Sequence, residues 1–222
     1  MRLLIIGILL ILFSCSPKKD ATEEDQSVAD TTAPTLSDSV TVEPKVEIVQ
    51  MDYPLDSLLK FNTEDELKKA FGSNVKRSIG YYPEGMGEYQ NTLLYPGTPN
   101  EVEFVWIDDS LEFTGLAYIQ VNGHATGWRT KEGITLGTRL KELEKLNQKP
   151  FTFYGFGWDY SGMVDWQDGH LYDRKVFVSL GYPEGNISPE FEDLSGDHEL
   201  RSDADLVQRC NPVVCELTLR RE

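Results

Sequence analysis

Apolar and polar positions alternate along several short stretches of this chain. In Glu101–Ile107 the residues Val102, Phe104 and Trp106 fall at every second position. A period of two indicates a β-strand with one buried face. Comparable apolar, β-branched or aromatic stretches predict further strands at 75–82, 89–95, 113–121, 151–156, 163–166, 175–181 and 213–219.

Two segments carry a helix pattern instead. Thr63-Glu64-Asp65-Glu66 is a capping box, with Thr63 as N-cap and Glu66 at the third helical position, and Gly72 supplies a stop. The second helix is expected to begin at the cap Thr138, to bury Leu140, Leu143 and Leu146, and to end at Asn147 before the breaker Pro150. Residues 183–206 are expected to be an acidic loop region.

These elements predict an α+β fold, an antiparallel meander sheet with two short helices. A helix followed by strands occurs twice, and Tyr82-Pro83-Glu84-Gly85 returns as Tyr182-Pro183-Glu184-Gly185. A duplicated helix-plus-sheet unit explains the repetition, but so does the common use of Pro and Gly in type I turns.

The N-terminus reads as an export signal. One Arg precedes an apolar run that ends in Leu12-Phe13-Ser14-Cys15, and the run is too short to span a bilayer. The Leu three residues before the Cys, and the small residue directly before it, resemble the lipobox of bacterial lipoproteins. The resemblance implies that residues 1–14 are a signal peptide and that Cys15 is lipidated. An ordinary signal peptide with an incidental Cys is the alternative.

Residues 15–52 are rich in Ser, Thr, Asp, Glu and Pro and show no sustained period. Such a segment buries too little apolar surface to fold, so we expect a lipidated, disordered acidic tether followed by one domain over 53–222. Ser16 stands where an Asp would, by resemblance to enteric lipoproteins, indicate retention in the inner membrane. The expected location is therefore the cell envelope, anchored to the outer membrane on its periplasmic or surface face.

The chain carries 37 Asp and Glu against 21 Lys and Arg, a net charge of −16. Such a surface repels phosphate backbones, so we expect no nucleic-acid partner. The sequence has no P-loop and no Cys/His cluster with zinc spacing. We therefore expect neither a metal nor another cofactor.

The Gly-rich stretch 155–162 is the strongest candidate for recognition. Its glycines allow a sharp turn that would expose Trp158 and Tyr160 beside Asp159, with Trp166 close behind, and exposed aromatic rings suit a protein partner or a sugar. Alternatively, Trp158 fills the core, as the frequent burial of large aromatic side chains favours. Asp159, Asp165 and Asp168, together with Glu84 or Glu184, are the carboxylates considered for glycan hydrolysis.

With Cys15 lipidated, Cys210 and Cys215 are left as a pair. An exported protein allows a disulfide between them across Asn211-Pro212. The alternation of Val213, Cys215, Leu217 and Leu219 equally allows Cys215 to be a small core residue of the last strand.

Gly133-Ile134, Gly137, Leu143 and Pro150 resemble the segment that opens the small envelope modules of the SmpA/OmlA lipoproteins. The β-lactamase-inhibitor proteins have comparable helix-plus-meander repeats. Both families bind other proteins and catalyse nothing. This chain departs from the pattern at Asn147-Gln148-Lys149, where a Gly usually precedes the Pro. As a whole it resembles uncharacterised lipoproteins of Bacteroidetes type.

We therefore expect a non-catalytic, lipid-anchored envelope protein that binds or scaffolds another protein. The alternative is a surface lipoprotein that binds or hydrolyses glycans through Trp158, Asp159 and Tyr160.

Overall fold

The computed structural model describes residues 48–82, 86–110, 112–172, 174–185 and 187–221, which belong to one compact unit. The predicted signal peptide, the lipidation site Cys15 and nearly all of the tether lie outside these residues. The packed part of the chain includes Val49 and Met51, upstream of the predicted start at Tyr53. The carbonyl of Val49 accepts a hydrogen bond from Asn100 Nδ2 at 2.7 Å, and Met51 N donates to Gly127 O at 3.2 Å.

In the described residues nine strands form two sheets. In chain order the strands are β1 (Val75–Tyr81), β2 (Glu88–Leu94), β3 (Val102–Asp108), β4 (Thr114–Asn122), β5 (Thr152–Tyr154), β6 (Val164–Asp165), β7 (Val176–Gly181), β8 (Glu199–Arg201) and β9 (Val213–Leu219). The larger sheet has six strands in the order β1-β2-β3-β4-β9-β7, and the smaller has the order β6-β5-β8. Every pair of neighbouring strands is antiparallel.

The predicted α+β class with an antiparallel meander is confirmed: β1 to β4 are neighbours in chain order. The two helix-plus-strand stretches nevertheless build different arrangements. All four strands after the first helix lie in one sheet, whereas the strands after the second are shared between both sheets. The sheet connectivity is therefore not repeated.

The helices are short. They are α1 (Glu64–Phe71), α2 (Leu140–Asn147) and α3 (Asp205–Cys210), with 3₁₀ segments at Leu55–Lys60, Gly72–Asn74 and Pro189–Leu194. The segment predicted as an acidic loop thus contains Pro189–Leu194, the strand β8 and the start of α3. Asp and Glu at the start of these short helices favour the helix dipole, so an acidic composition did not exclude them.

Capping was predicted correctly for α1 and wrongly for α2. Thr63 Oγ1 accepts a hydrogen bond from Glu66 N at 3.1 Å, and Gly72 ends α1 with a φ of 58°. The N-cap of α2 is Arg139, which makes no side-chain capping bond. Thr138 Oγ1 instead accepts from Thr135 N at 3.0 Å, stabilising the turn before the helix.

One hydrophobic core joins all these elements. It includes Phe104, Trp106, Ile119 and Leu217 from the larger sheet, Leu67, Leu140 and Leu143 from helices, and Phe153 and Phe156 from the segment around the smaller sheet. Only one face of the larger sheet is lined by this core. The other, named here the open face, carries mostly polar and half-buried side chains.

A buried carboxylate ties α1 to β1. Glu64 is 1% exposed and accepts hydrogen bonds from Arg77 Nε and Nη2 at 2.9 and 2.6 Å and from Lys68 Nζ at 2.7 Å. The guanidinium of Arg77 also lies 3.8 Å from the ring centroid of Phe113. Burial raises the pKa of Glu64, but the hydrogen bonds from Arg77 and Lys68 outweigh it, and the net pKa is lowered.

Candidate functional site

The structure exposes two of the aromatic side chains singled out in the sequence. The segment 155–163, named here the aromatic turn, holds Trp158 63% exposed and Tyr160 68% exposed. The alternative in which Trp158 fills the core is therefore wrong. Most large aromatic side chains of folded proteins are largely buried, so two such rings in one turn mark a surface available for contact.

Hydrogen bonds hold the aromatic turn in one shape. Ser161 N donates to Trp158 O at 3.0 Å, and Met163 N donates to Tyr160 O at 2.8 Å. Gly157 N donates to Ser161 Oγ at 3.1 Å. Tyr160 has a φ of 61°, a strained value for a non-glycine residue that only well-fixed surroundings maintain. Both aromatic residues are thus displayed on a preorganised backbone.

The aromatic turn is docked on the edge of the larger sheet by Gly162. Its carbonyl accepts a hydrogen bond from Leu180 N at 2.8 Å. A Cβ at this position would lie 1.9 Å from the carbonyl oxygen of Leu180, and its φ is +71°. Only glycine permits this approach and this conformation. The residue that fixes the turn therefore carries no side chain.

Trp166 does not belong to this exposed set. It is 5% exposed, packs edge-on against Phe151 with ring centroids 5.2 Å apart, and donates from Nε1 to Val176 O at 2.7 Å. The prediction that Trp166 binds a partner is wrong. Trp166 directly follows β6, and its side chain is buried on the same side as that of Val164.

The carboxylates considered for catalysis have other roles. Asp168 pairs with Lys149 at 2.6 Å, and the hydrogen bond and charge of Lys149 lower its pKa. Asp165 Oδ1 accepts from Gln167 N at 2.8 Å within a turn. Asp159 is exposed on the aromatic turn. These contacts are those of turns and surface ion pairs.

Neither interpretation of the two late cysteines holds. Both are free thiols: Cys210 is buried at the end of α3, and Cys215 Sγ donates to Ser179 O at 3.4 Å. Cys215 also lies outside the core, because a register shift between β7 and β9 breaks the alternation there. A Cβ on Gly181 would come within 2.9 Å of Cys215 Sγ, which places this thiol beside Gly181.

The open face holds a group of residues that the sequence did not single out. Its centre is Glu103 on β3, whose Oε1 accepts hydrogen bonds from Tyr89 Oη at 2.9 Å and from Asn91 Nδ2. Glu103 is paired with Gln120 of β4, which is paired with Thr218 of β9. The next row across the same face joins Asn122, Glu216 and Ser179.

The charge of Glu103 reaches several neighbours on this face. Burial, reinforced by the hydrogen bond and charge of Glu103, raises the pKa of Tyr89. Burial followed by the charge of Glu103 likewise raises the pKa of Tyr118. The pKa of Glu216 is raised, mainly by burial. The charge of Glu103 raises it further, whereas the hydrogen bond from Ser179 lowers it. Glu103 and Glu216 therefore repel one another across a partly desolvated surface.

Aromatic rings continue across the same face. The rings of Tyr82 and Tyr89 lie 4.9 Å apart, and Arg220 lies 5.8 Å from the ring centroid of Tyr118 and 4.9 Å from that of Phe177. An isolated bridge between Met163 and Ser179 connects the aromatic turn to the edge strand β7. The turn and the open face are thus contiguous.

The alternation in β3 was the available signal for Glu103, since it places that residue opposite Val102 and Phe104. The pairing with β9 could not be predicted, because β9 lies almost a hundred residues downstream of β4 and enters the sheet as a non-sequential neighbour.

Within the residues that the structure covers, no three His, Cys, Asp or Glu side chains are grouped so as to hold a metal ion. In the same part of the chain, no helix has the length and apolar character needed to cross a membrane.

Fold and surface together define an α+β protein with an antiparallel sheet, an open polar and aromatic face, and a projecting aromatic turn at its edge. Comparison with protein-family models, with curated proteins and with solved structures finds no match.

Proposed function

We propose that this chain is a non-catalytic, lipid-anchored protein of the bacterial cell envelope that binds another protein through the aromatic turn. The observation that supports it most directly is the exposure of Trp158 and Tyr160 on a hydrogen-bonded turn. Trp and Tyr are enriched among the residues that dominate binding energy at protein interfaces. A backbone that is already held by hydrogen bonds loses little conformational entropy when a partner covers it.

Glycan binding is the second candidate, and the open face favours it. Tyrosine rings beside the carboxylate of Glu103 and the amides of Asn91 and Gln120 offer both stacking and hydrogen bonding to a sugar. Hydrolysis by the carboxylates near the aromatic turn is less well supported, because it requires two carboxylates flanking one bond, whereas Asp168 is engaged by Lys149 and Asp165 accepts a hydrogen bond from Gln167 N.

The anchor is proposed from the sequence Leu12-Phe13-Ser14-Cys15. Each buried methylene of an acyl chain contributes about 0.8 kcal/mol, so several chains on one Cys hold a protein durably at a membrane. The tether that composition predicts for residues 15–52 would, as a flexible chain of roughly 35 residues, reach on the order of 30 Å. The domain would then stand clear of the lipid headgroups and meet a partner in the envelope.

The anchor predicts the chemical state of Cys15. Mass spectrometry of the N-terminal peptide from the protein isolated from membranes is expected to find Cys15 as the first residue, carrying acyl chains on its sulfur and amino group. Cys15→Ala should abolish the acyl mass and leave residues 1–14 uncleaved. An unmodified Cys15 in the exported protein would overturn the anchor and leave the binding proposal untouched.

The binding proposal predicts that Trp158→Ala weakens partner capture at unchanged stability. Truncating an interface hot spot costs about 2 kcal/mol or more, a loss of affinity of roughly 30-fold. The free energy of unfolding should change by less than about 0.5 kcal/mol, because the ring is exposed. We would place a photoreactive amino acid at position 160 and compare crosslinked products in intact cells with and without Trp158→Ala.

The matched control is Tyr172→Ala, which removes an aromatic side chain that is 61% exposed outside the aromatic turn. It should leave the crosslinking at position 160 intact. Equal crosslinking in the Trp158→Ala protein, or an equal loss in the Tyr172→Ala protein, contradicts the proposed binding surface. A large fall in stability of the Trp158→Ala protein would show that the ring has a structural role.

A further inference from the structure

A small cavity opens on the open face around Glu103. Its volume is about 220 Å³. The polar side chains that line it include those of Tyr89, Asn91, Glu101, Glu103, Gln120 and Asn122. Pockets for drug-sized molecules usually measure about 300–1,000 Å³. The volume therefore suits one side chain or a ligand of similar size.

The cavity is rich in hydrogen-bond acceptors. Asn91 is 4% exposed, and its Nδ2 is occupied by Glu103 Oε1. Its Oδ1 is buried and has no hydrogen-bond partner in the part of the chain that the structure describes. A buried acceptor without a donor costs about 1–3 kcal/mol. A ligand that brings N–H groups into the cavity would remove this cost.

The negative charge of the cavity also favours a ligand that carries N–H groups. Glu101 and Glu103 line it, whereas no Lys or Arg is among its described lining residues. Glu216 is a third carboxylate. It lies on β9, the strand next to β4, directly opposite Asn122, and its charge repels that of Glu103. A cation placed at Glu103 would offset this repulsion in a site where surrounding protein reduces screening by water.

We propose that this cavity receives the ammonium or guanidinium group of a Lys or Arg side chain carried by a partner protein. A cation with several N–H groups supplies both the charge and the donors that the cavity lacks. A second copy of this chain is a poor source, because its net charge of −16 makes two copies repel one another. The inference goes beyond the proposed function and shares with it only that the partner is a protein.

The distance from this cavity to β7, the edge strand on which the aromatic turn is docked, fits within one interface. Glu103 lies on β3, and the edge strand β7 is three strands away in the order β3-β4-β9-β7. At about 4.8 Å for each strand spacing, the separation across the sheet is about 15 Å. A standard interface buries about 800 Å² on each partner, which is wide enough to include both sites.

The test uses the full chain in zwitterionic detergent micelles and follows the side-chain amide resonances of Asn91, Gln120 and Asn122 by NMR. The probes are N-acetyl-arginine methylamide, N-acetyl-lysine methylamide and the uncharged isostere N-acetyl-citrulline methylamide. Methyl glucoside is the sugar probe. We expect saturable shifts of these amides with the arginine probe, the lysine probe or both, and at least tenfold weaker binding of citrulline.

Glu103→Gln should weaken cation binding at least tenfold, whereas Glu142→Gln, which removes a charge from the exposed side of α2, should not change it. If Glu103→Gln fails to fold, comparing the arginine and citrulline probes on the unaltered protein still shows whether binding requires a positive charge. Absence of saturable shifts with both cations, or equal binding of citrulline, overturns the proposal. Shifts with methyl glucoside alone overturn it in favour of a glycan site. Each of these outcomes leaves the Trp158 crosslinking prediction standing.

Discussion

Arg77→Ala is expected to lower the free energy of unfolding by about 1–3 kcal/mol, less than the roughly 3–5 kcal/mol of a fully buried pair, because Glu64 is buried but the side chain of Arg77 is 51% exposed. The variant would leave the carboxylate of Glu64 buried with Lys68 as its remaining cation. It would also remove the guanidinium that covers the ring of Phe113. Denaturant unfolding of both proteins at neutral pH measures the effect.

The matched control is Arg209→Ala. Arg209 also binds a carboxylate, that of Glu190 at 3.0 Å, but both side chains of this pair are substantially exposed. Exposed ion pairs contribute about 0–1 kcal/mol, so the control should lose much less stability. Adding Glu64→Gln to Arg77→Ala should recover part of the loss, because the stranded charge is removed. Equal losses from Arg77→Ala and Arg209→Ala would contradict the assigned role of burial.

The direction of the Glu64 pKa shift predicts how the effect depends on pH. The folded-state pKa of Glu64 is lowered from its ordinary value of 4.5. Its ionised form therefore contributes stability above pH 4.5, and this contribution is lost as the pH falls through the lowered folded-state pKa. The difference in stability between the unaltered protein and Arg77→Ala should shrink over the same acidic range. A difference that stays constant there would mean that the guanidinium acts through packing rather than charge.

Gly162→Ala is expected to lower the free energy of unfolding by about 2–5 kcal/mol. A left-handed backbone costs a residue with a Cβ about 1–2 kcal/mol, and overpacking adds about 1–3 kcal/mol. Both apply here, because φ is +71° and the new methyl would overlap the carbonyl oxygen of Leu180. The hydrogen bond from Leu180 N to Gly162 O would be strained or lost, and the aromatic turn with it. Thermal and denaturant unfolding measure the first effect, and crosslinking at position 160 measures the second.

Gly157→Ala separates the two causes. Gly157 has a φ of +84°, but a Cβ there would meet no atom within 4 Å. The change should therefore cost only the backbone strain of about 1–2 kcal/mol. Losses of equal size at positions 157 and 162 would contradict the importance of the contact between Gly162 and Leu180.

Local features were predictable where the interactions that produce them are local. The cap of α1 joins residues three positions apart, so Thr63 and Glu66 predict it from the sequence alone. The alternation in β3 depends only on the period of a strand. Thr138 was predicted to cap α2 by the same logic, but its hydroxyl binds Thr135 N instead. Two local partners competed for one side chain, and the pattern alone could not rank them.

The exposure of Trp158 and the burial of Trp166 show where this logic ends. Both lie in one aromatic stretch that contains several glycines, so composition treats them alike. Trp166 is buried because Phe151 and the carbonyl of Val176 lie against it. Trp158 is exposed on a turn that Gly162 holds against Leu180. The partners in these contacts, Phe151, Val176 and Leu180, lie outside the stretch itself.

By itself the sequence determined the α+β class, the antiparallel meander, the first helix with its cap, and the acidic net charge. These follow from residue type and from periods of two or three to four positions along the chain. Only the tertiary structure decided that Glu64 is buried on Arg77, that Cys215 leaves the core at a register shift, and that Glu103 and Glu216 share one open face. Those outcomes depend on which distant strands become neighbours, and pairing between distant segments is set by the packing of the whole core rather than by any local pattern.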